Sequence, residues 1–407
     1  MGSKLKNLIK NITAVLAVLV SSVMLTTAVY ANILPEEVQI YENDSLAFHT
    51  AIQITADDDT PMDVAANSTG DGYHYRYTTN AKLMGIIPIK NVQVDVIDDM
   101  YVAVSGKSFG IKIFTEGVMV VGMNEVDCAG EPVNPAKNAG LEIGDNIISI
   151  NGKEITSNED IASIIESSEG KSVQIVFRRD GEENRVSLTP EKSISENKYK
   201  AGIWVKDSTA GIGTMTFYST VNGAFAGLGH GIADSDTGEL YTISTGEIVQ
   251  TNILSINKSV KGDAGEICGV FTDQTTGSLY QNCDSGLYGE LYEYDENVQL
   301  TKIALKQEIV TGNAQIITSI DNSGPKAYDC VVEKIMLNDA TQNMIVRITD
   351  ENLLNQTGGI VQGMSGSPIL QNGRLIGALT HVFVNDPEKG YAVFAETMYK
   401  TSQEYAK

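Results

Sequence analysis

Gly363-Met364-Ser365-Gly366-Ser367-Pro368 is the stretch on which the reading of this chain turns. It lies between two short apolar runs, Gly359-Ile360-Val361 and Ile369-Leu370, so a turn of small residues interrupts strand-like sequence. Glycine on both sides of the Met364-Ser365 pair lets the backbone turn sharply and present the Ser365 hydroxyl outward. In such a turn the amides of Gly363 and Ser365 can converge on one point, which is the geometry of an oxyanion hole. A serine hydroxyl needs a base before it attacks an amide at neutral pH. The chain has four histidines, His49, His74, His230 and His381. His230 stands in Gly227-Leu228-Gly229-His230-Gly231-Ile232, a second glycine-rich turn after the apolar run Ala224-Phe225-Ala226, where an imidazole can project from a strand end. His381, after Ala378-Leu379-Thr380, reads as a hydrogen-bonded barrel residue rather than a base. Ser367 is the rival nucleophile in the same turn.

Around these turns the sequence is β-rich. Apolar runs at 215–218, 240–243, 253–256, 300–305, 331–335 and 344–348 alternate with Gly, Asn and Asp, the pattern of a barrel or sandwich. Asn372-Gly373, between Ile369-Leu370 and Leu375-Ile376, is a two-residue hairpin signal. Residues 395–405 read as the one helix of this region. The order His230, Asp350, Ser365 is that of chymotrypsin-like proteases, and the serine turn looks like a variant of their Gly-Asp-Ser-Gly-Gly-Pro signature.

Residues 106–190 form a separate pattern. Ala139-Gly140-Leu141, Gly144-Asp145 and Ile150-Asn151-Gly152 lead into a helix with Ser157 as N-cap and an apolar stripe of Ile161, Ile164 and Ile165. A strand at 173–177 and a turn at Asp180-Gly181 close the unit. This stretch resembles a PDZ domain of the kind found in bacterial proteases. The resemblance implies that Phe109, Gly110 and Ile111 form the loop that receives a peptide's terminal carboxylate.

Composition sets further bounds. The formal charge of -23, from 29 basic against 52 acidic residues, opposes binding to nucleic acid. Lys4, Lys6 and Lys10 precede an uncharged run to Asn32, with Val29-Tyr30-Ala31 as a cleavage-site pattern, so residues 1–32 read as a signal peptide or membrane anchor of an exported chain. Residues 33–105 read as an acidic tether, with the run Asp57-Asp58-Asp59, followed by a β-rich lead-in. Cys268 and Cys283 flank a turn-rich stretch and suit a disulfide as well as free thiols. The spacing of Cys and His suggests no metal site, and no cofactor is called for.

Anchor, PDZ unit and a His, Asp, Ser β-domain together resemble the SpoIVB peptidase family over nearly the whole chain. Leu228-Gly229-His230-Gly231, the run from Thr349-Asp350 to Ser367-Pro368, and Thr380-His381-Val382-Phe383-Val384-Asn385-Asp386-Pro387 carry that resemblance. It implies a mainly β fold, with a chymotrypsin-like barrel domain at 191–407 behind the PDZ domain. It also implies a catalytic His230, Asp350 and Ser365, with Asp350 chosen by the resemblance alone; Asp234 or Asp236 is the other candidate to orient His230. By the same resemblance the chain is a sporulation protease in the space between the forespore membranes. It would cleave itself, through tether or PDZ contacts, and cut a membrane regulator of an intramembrane metalloprotease, so activating a late mother-cell sigma factor. The competing expectation is a non-catalytic PDZ scaffold.

Overall fold

A computed structural model describes residues 2–405 apart from 43, 45, 49–53, 56–64, 67–74, 180 and 236. Strand makes up 49% of it against 17% helix, so the chain is mainly β. Helix α1 (Gly2–Ile33) is uncharged and apolar from residue 11 and, over Lys6–Ile33, is long and apolar enough to cross a membrane. β1 (Glu37–Tyr41), β2 (Tyr75–Leu83) and β3 (Ile87–Ile97) form a small sheet in which β1 lies parallel to β3 and β2 antiparallel to it. Val38, Ile40, Val92, Val94 and Val96 alternate inward to give it a core. The segment expected to be a tether therefore begins as a paired strand, whereas Asp57-Asp58-Asp59, His49 and His74 lie outside the described residues. Buried Tyr41 donates its hydroxyl to the Ile303 carbonyl at 2.7 Å and fixes this sheet to the main body.

β4 (Tyr101–Val104) and β5 (Ser108–Met123) enter that body. The far end of β5 leads into the PDZ unit of α2 (Pro135–Ala139), β6 (Asn146–Ile150), α3 (Asn158–Ser167), β7 (Val173–Arg179) and β8 (Glu182–Leu188). Ser157 caps α3 by accepting from the Asp160 amide, and Ile161 and Ile165 pack on Val118, Val120, Ile147, Ile150, Ile175 and Phe177. Asp145, 1% exposed, is held by both Nε and Nη2 of Arg179 at 2.6 and 2.8 Å, so this buried carboxylate is paired as burial demands.

β9 (Ile203–Tyr218) brings the chain back alongside β5, and β10 (Ala224–Gly227), β11 (Ile243–Asn257), β12 (Glu266–Cys283) and β13 (Gly286–Leu291) follow. The pairings β5-β11-β12-β13-β10-β9-β5 close into a ring around Phe109, Ile111, Ile113, Phe225, Leu228, Ile248 and Leu287. The PDZ unit is thus inserted between two strands of this first barrel, not placed ahead of it at 106–190. This corrects the peptide-binding reading of Phe109, Gly110 and Ile111. Gly110 stands opposite Ile212 on one side and Val249 on the other, and Phe109 and Ile111 point into the barrel core, so no backbone amide there awaits a carboxylate.

β14 (Gly312–Thr318), β15 (Lys326–Ile335), β16 (Met344–Ile348), β17 (Pro368–Gln371), β18 (Arg374–Val382) and β19 (Lys389–Phe394) form a closed second barrel. Its core of Ile316, Val332, Met344, Val346, Ile348, Ile369, Ile376 and Leu379 is almost wholly dry, and each such side chain contributes roughly 1.5–3 kcal/mol by burial. Asn372 and Gly373, at φ 52° and 75°, make the expected hairpin turn between β17 and β18. Short helix α4 (Glu351–Thr357) links β16 to the serine loop, and α5 (Ala395–Tyr405) ends the described chain. Cys268 and Cys283 lie near opposite ends of the single strand β12, roughly 50 Å apart at strand rise, and all four cysteines are free, so of the two readings left open by the sequence the free thiols hold.

Candidate active site at the seam of two barrels

Ser365 sits on the loop that enters the second barrel, and β9 of the first barrel holds that loop. Thr214 donates its amide to the Ser365 carbonyl at 2.9 Å and its hydroxyl to the Gly363 carbonyl at 2.8 Å. Thr216 donates its hydroxyl to the Gly366 carbonyl at 2.7 Å, and both threonines are fully buried. Gly366 lies at φ 93°, and a Cβ there would overlap the Thr214 carbonyl oxygen and the Leu228 nitrogen, so only glycine fits. The loop amides are then divided. Gln362, Met364, Gly366 and Ser367 donate to Gly265, Val361, Leu379 and Met364 carbonyls. Among the described residues nothing accepts from the amides of Gly363 and Ser365, the two read from sequence as an oxyanion hole.

His230 follows β10 through two left-handed residues, Leu228 at φ 63° and Gly229 at φ 69°. A Cβ on Gly229 would lie 2.9 Å from Thr380 Cγ2 and 3.0 Å from Val393 Cγ1, so the turn rests directly on the second barrel. The imidazole Nδ1 is 2.8 Å from the Gly231 carbonyl oxygen. A carbonyl only accepts, so Nδ1 carries the proton and Nε2 keeps its lone pair. The ring stacks at 4.4 Å on His381, tilted by 37°. Burial, and then repulsion from His381, lower the His230 pKa to about 4, against the opposing effect of the Gly231 hydrogen bond. Burial also lowers that of His381. The His230 ring is neutral at pH 7.

Ser365, Gly363, His230 and His381 line one cleft of ≈ 450 Å³, together with Ile212 and Val382. The Ser365 hydroxyl donates to the Thr380 carbonyl at 2.7 Å in this state. Ser367 is fully buried with its hydroxyl on the Met364 carbonyl at 2.6 Å, the part of a structural residue. Asp350 is not brought to this cleft. It is the N-cap of α4, with Oδ1 accepting from the Leu353 amide at 3.0 Å, and Nδ1 of His230 already has the Gly231 carbonyl. Asp234 accepts from Lys206 Nζ at 2.8 Å and the Tyr241 hydroxyl at 2.7 Å, and Asp236 lies outside the described residues. Sequence reasoning missed the Gly231 carbonyl and the two threonine clasps. The one signal for the latter is that Thr214 and Thr216 share a strand face between Gly213 and Phe217, where apolar residues would be expected.

Parts of the chain are similar to known proteins. Residues 197–399 match the model of the SpoIVB peptidase S55 family, and residues 126–179 that of the PDZ domain. Among curated proteins, a stretch of 61 residues, 15% of the chain, is 44% identical to the serine protease HTRA1 of Xenopus tropicalis and covers 13% of it. A stretch of 75 residues, 18% of the chain, is 35% identical to the probable protease eep of Enterococcus faecalis and covers 18% of it. The chain thus spans less than a fifth of the length of each of these two relatives. The PDZ domain of an SdrC-like protein from Listeria monocytogenes aligns over 23% of the chain and 90% of its own length, with 22% identity and a TM-score of 0.19. With two barrels meeting at Ser365 and a PDZ unit inserted in the first, the chain belongs to the SpoIVB peptidase family of serine peptidases.

Proposed function

We propose that this chain is a serine endopeptidase in which Ser365 is the nucleophile and His230 the base. The pair of open amides at Gly363 and Ser365, beside a neutral imidazole in one cleft, carries the reading. For attack the Ser365 hydroxyl must leave the Thr380 carbonyl and hydrogen-bond Nε2 of His230, which lines the same cleft. The proton passes to Nε2 as Oγ attacks the substrate carbonyl, and the two amides hold the resulting oxyanion. His230 then gives the proton to the leaving amine, and water releases the acyl group by the same steps. The Gly231 carbonyl holds the tautomer and faces the Nδ1–H of the imidazolium, the part an aspartate has in other serine proteases.

The family resemblance supports a finer reading: a sporulation signalling protease, exported or held by α1, that trims its own N-terminal region and cuts a membrane-associated regulator of an intramembrane metalloprotease. A non-catalytic scaffold has no use for two unpartnered amides next to a serine. Incubation of the purified chain with unfolded β-casein distinguishes the two. Fragments from wild type and none from Ser365→Ala are expected, and an inert wild type favours the scaffold.

A further inference from the structure

β9 carries one open edge past the catalytic cleft and a second groove. On one side its residues pair with β5, from Ile203 opposite Met123 to Thr214 opposite Ser108. On the other side pairing with β10 starts only at Met215, and the serine loop and Leu228 occupy Thr214. Among the described residues no strand pairs with that second side from Ile203 to Ile212. Burial changes at the same place: residues 203–212 are partly buried or exposed, none of them fully buried, whereas 213–217 are all buried. Thr209 to Ile212 line the catalytic cleft. Gly202 to Val205 line a groove of ≈ 800 Å³ whose opposite wall is α3, through Ile161, Ala162 and Ile165.

The orientation of this edge follows from strand geometry. The bonds of Thr214 point to the open side, so the peptide groups of Ile212 and Ala210, two and four residues earlier, face the same way beside Ser365. Side chains stand off the two faces of the sheet. Asp207, which accepts from the Asn158 amide at 2.9 Å, and Lys206, bound to Asp234, therefore wall the edge. β9 runs from the groove toward the cleft, and all its strand partners are antiparallel to it.

The geometry points to β9 as a substrate track: an extended polypeptide adds antiparallel to its open edge, with its cut bond at Ser365 and its C-terminal flank laid from Ile212 back to Ile203 and into the groove under α3. This rests on the peptidase reading above. Nine residues of strand rise span roughly 30 Å, so a flank of about ten residues is needed to reach the groove. Exposed Trp204, at the groove wall, offers that flank an aromatic anchor. The molecule then measures its substrate on the C-terminal side of the cut.

The test uses the full chain. β-Casein fragments are mapped by mass spectrometry, and peptides spanning one cut are made with the C-terminal flank shortened stepwise from about fourteen residues to about two. kcat/KM is expected to fall by about tenfold or more once the flank drops below about ten residues, as the second contact is lost, and to be indifferent to matching N-terminal shortening beyond the cleft. A peptide of the flank alone should inhibit cleavage of the long substrate and spare the shortest. A flat C-terminal length profile, or dependence on the N-terminal flank instead, overturns the track. A fluorophosphonate reports separately on the peptidase reading: Ser365 labelled with a flat profile refutes the track alone, whereas an unlabelled, uncut mixture refutes the active site itself.

Discussion

Thr214→Val asks whether the first barrel builds the oxyanion hole of the second. Valine keeps the shape and β-branching of threonine, so the fully buried site stays filled and the Thr214 amide still donates to Ser365. What is lost is the 2.8 Å bond from Oγ1 to the Gly363 carbonyl, which leaves a buried acceptor without its partner. Such a loss costs about 1–3 kcal/mol. If the loop regains the bond by tilting the Gly363 peptide out of place, the cost reaches the transition state and slows reaction by roughly 5- to 150-fold. The assay is the second-order rate of fluorophosphonate labelling, set beside a thermal melt of the same protein. A melt lowered by a few degrees with labelling slowed into that range is expected. A lowered melt with labelling at the wild-type rate would refute the argument, because the clasp would then support the fold without shaping the hole.

Three further outcomes follow from the same geometry. Ser367→Ala should lose about 1 kcal/mol of stability, through its bond to Met364, yet remain open to labelling at Ser365; loss of labelling in a folded variant would reopen the choice of nucleophile. Asp350→Asn should keep labelling within about twofold, since asparagine caps α4 as well as aspartate does, whereas a folded but unreactive variant would restore Asp350 as the residue that orients His230. The acid limb of kcat/KM should lie near pH 4, below the ordinary histidine value, because His230 stays neutral down to there. The unfolded chain takes up that proton near pH 6.5, so the stability associated with His230 is present above 6.5 and is lost as pH falls toward 4; an acid limb at 6.5 or above would contradict the burial of the ring.

The serine loop was legible because its chemistry is local: glycines at 363 and 366 fix a turn, and a turn fixes which amides point outward. The hairpin at Asn372-Gly373, the cap at Ser157 and the helix Ala395–Tyr405 were legible for the same reason. Phe109-Gly110-Ile111 was misread because the resemblance to a PDZ domain put a carboxylate-binding loop there, and nothing local in the triplet says which strands lie beside it. Its partner β9 lies beyond the whole PDZ insertion. Asp350 had two local meanings, a triad carboxylate by resemblance and an N-cap before Leu353-Leu354, and the structure displays the cap. The Gly231 carbonyl was invisible, since every residue has one and only the folded turn aims it at the imidazole.

Treatment of the purified chain with a fluorophosphonate, followed by peptide mapping, puts the active site to its plainest trial. A single adduct on Ser365, absent when His230 is replaced by alanine in a protein that still melts cooperatively, is the predicted result. An adduct on Ser367 or another serine, or reaction at Ser365 undiminished by His230→Ala, would contradict it.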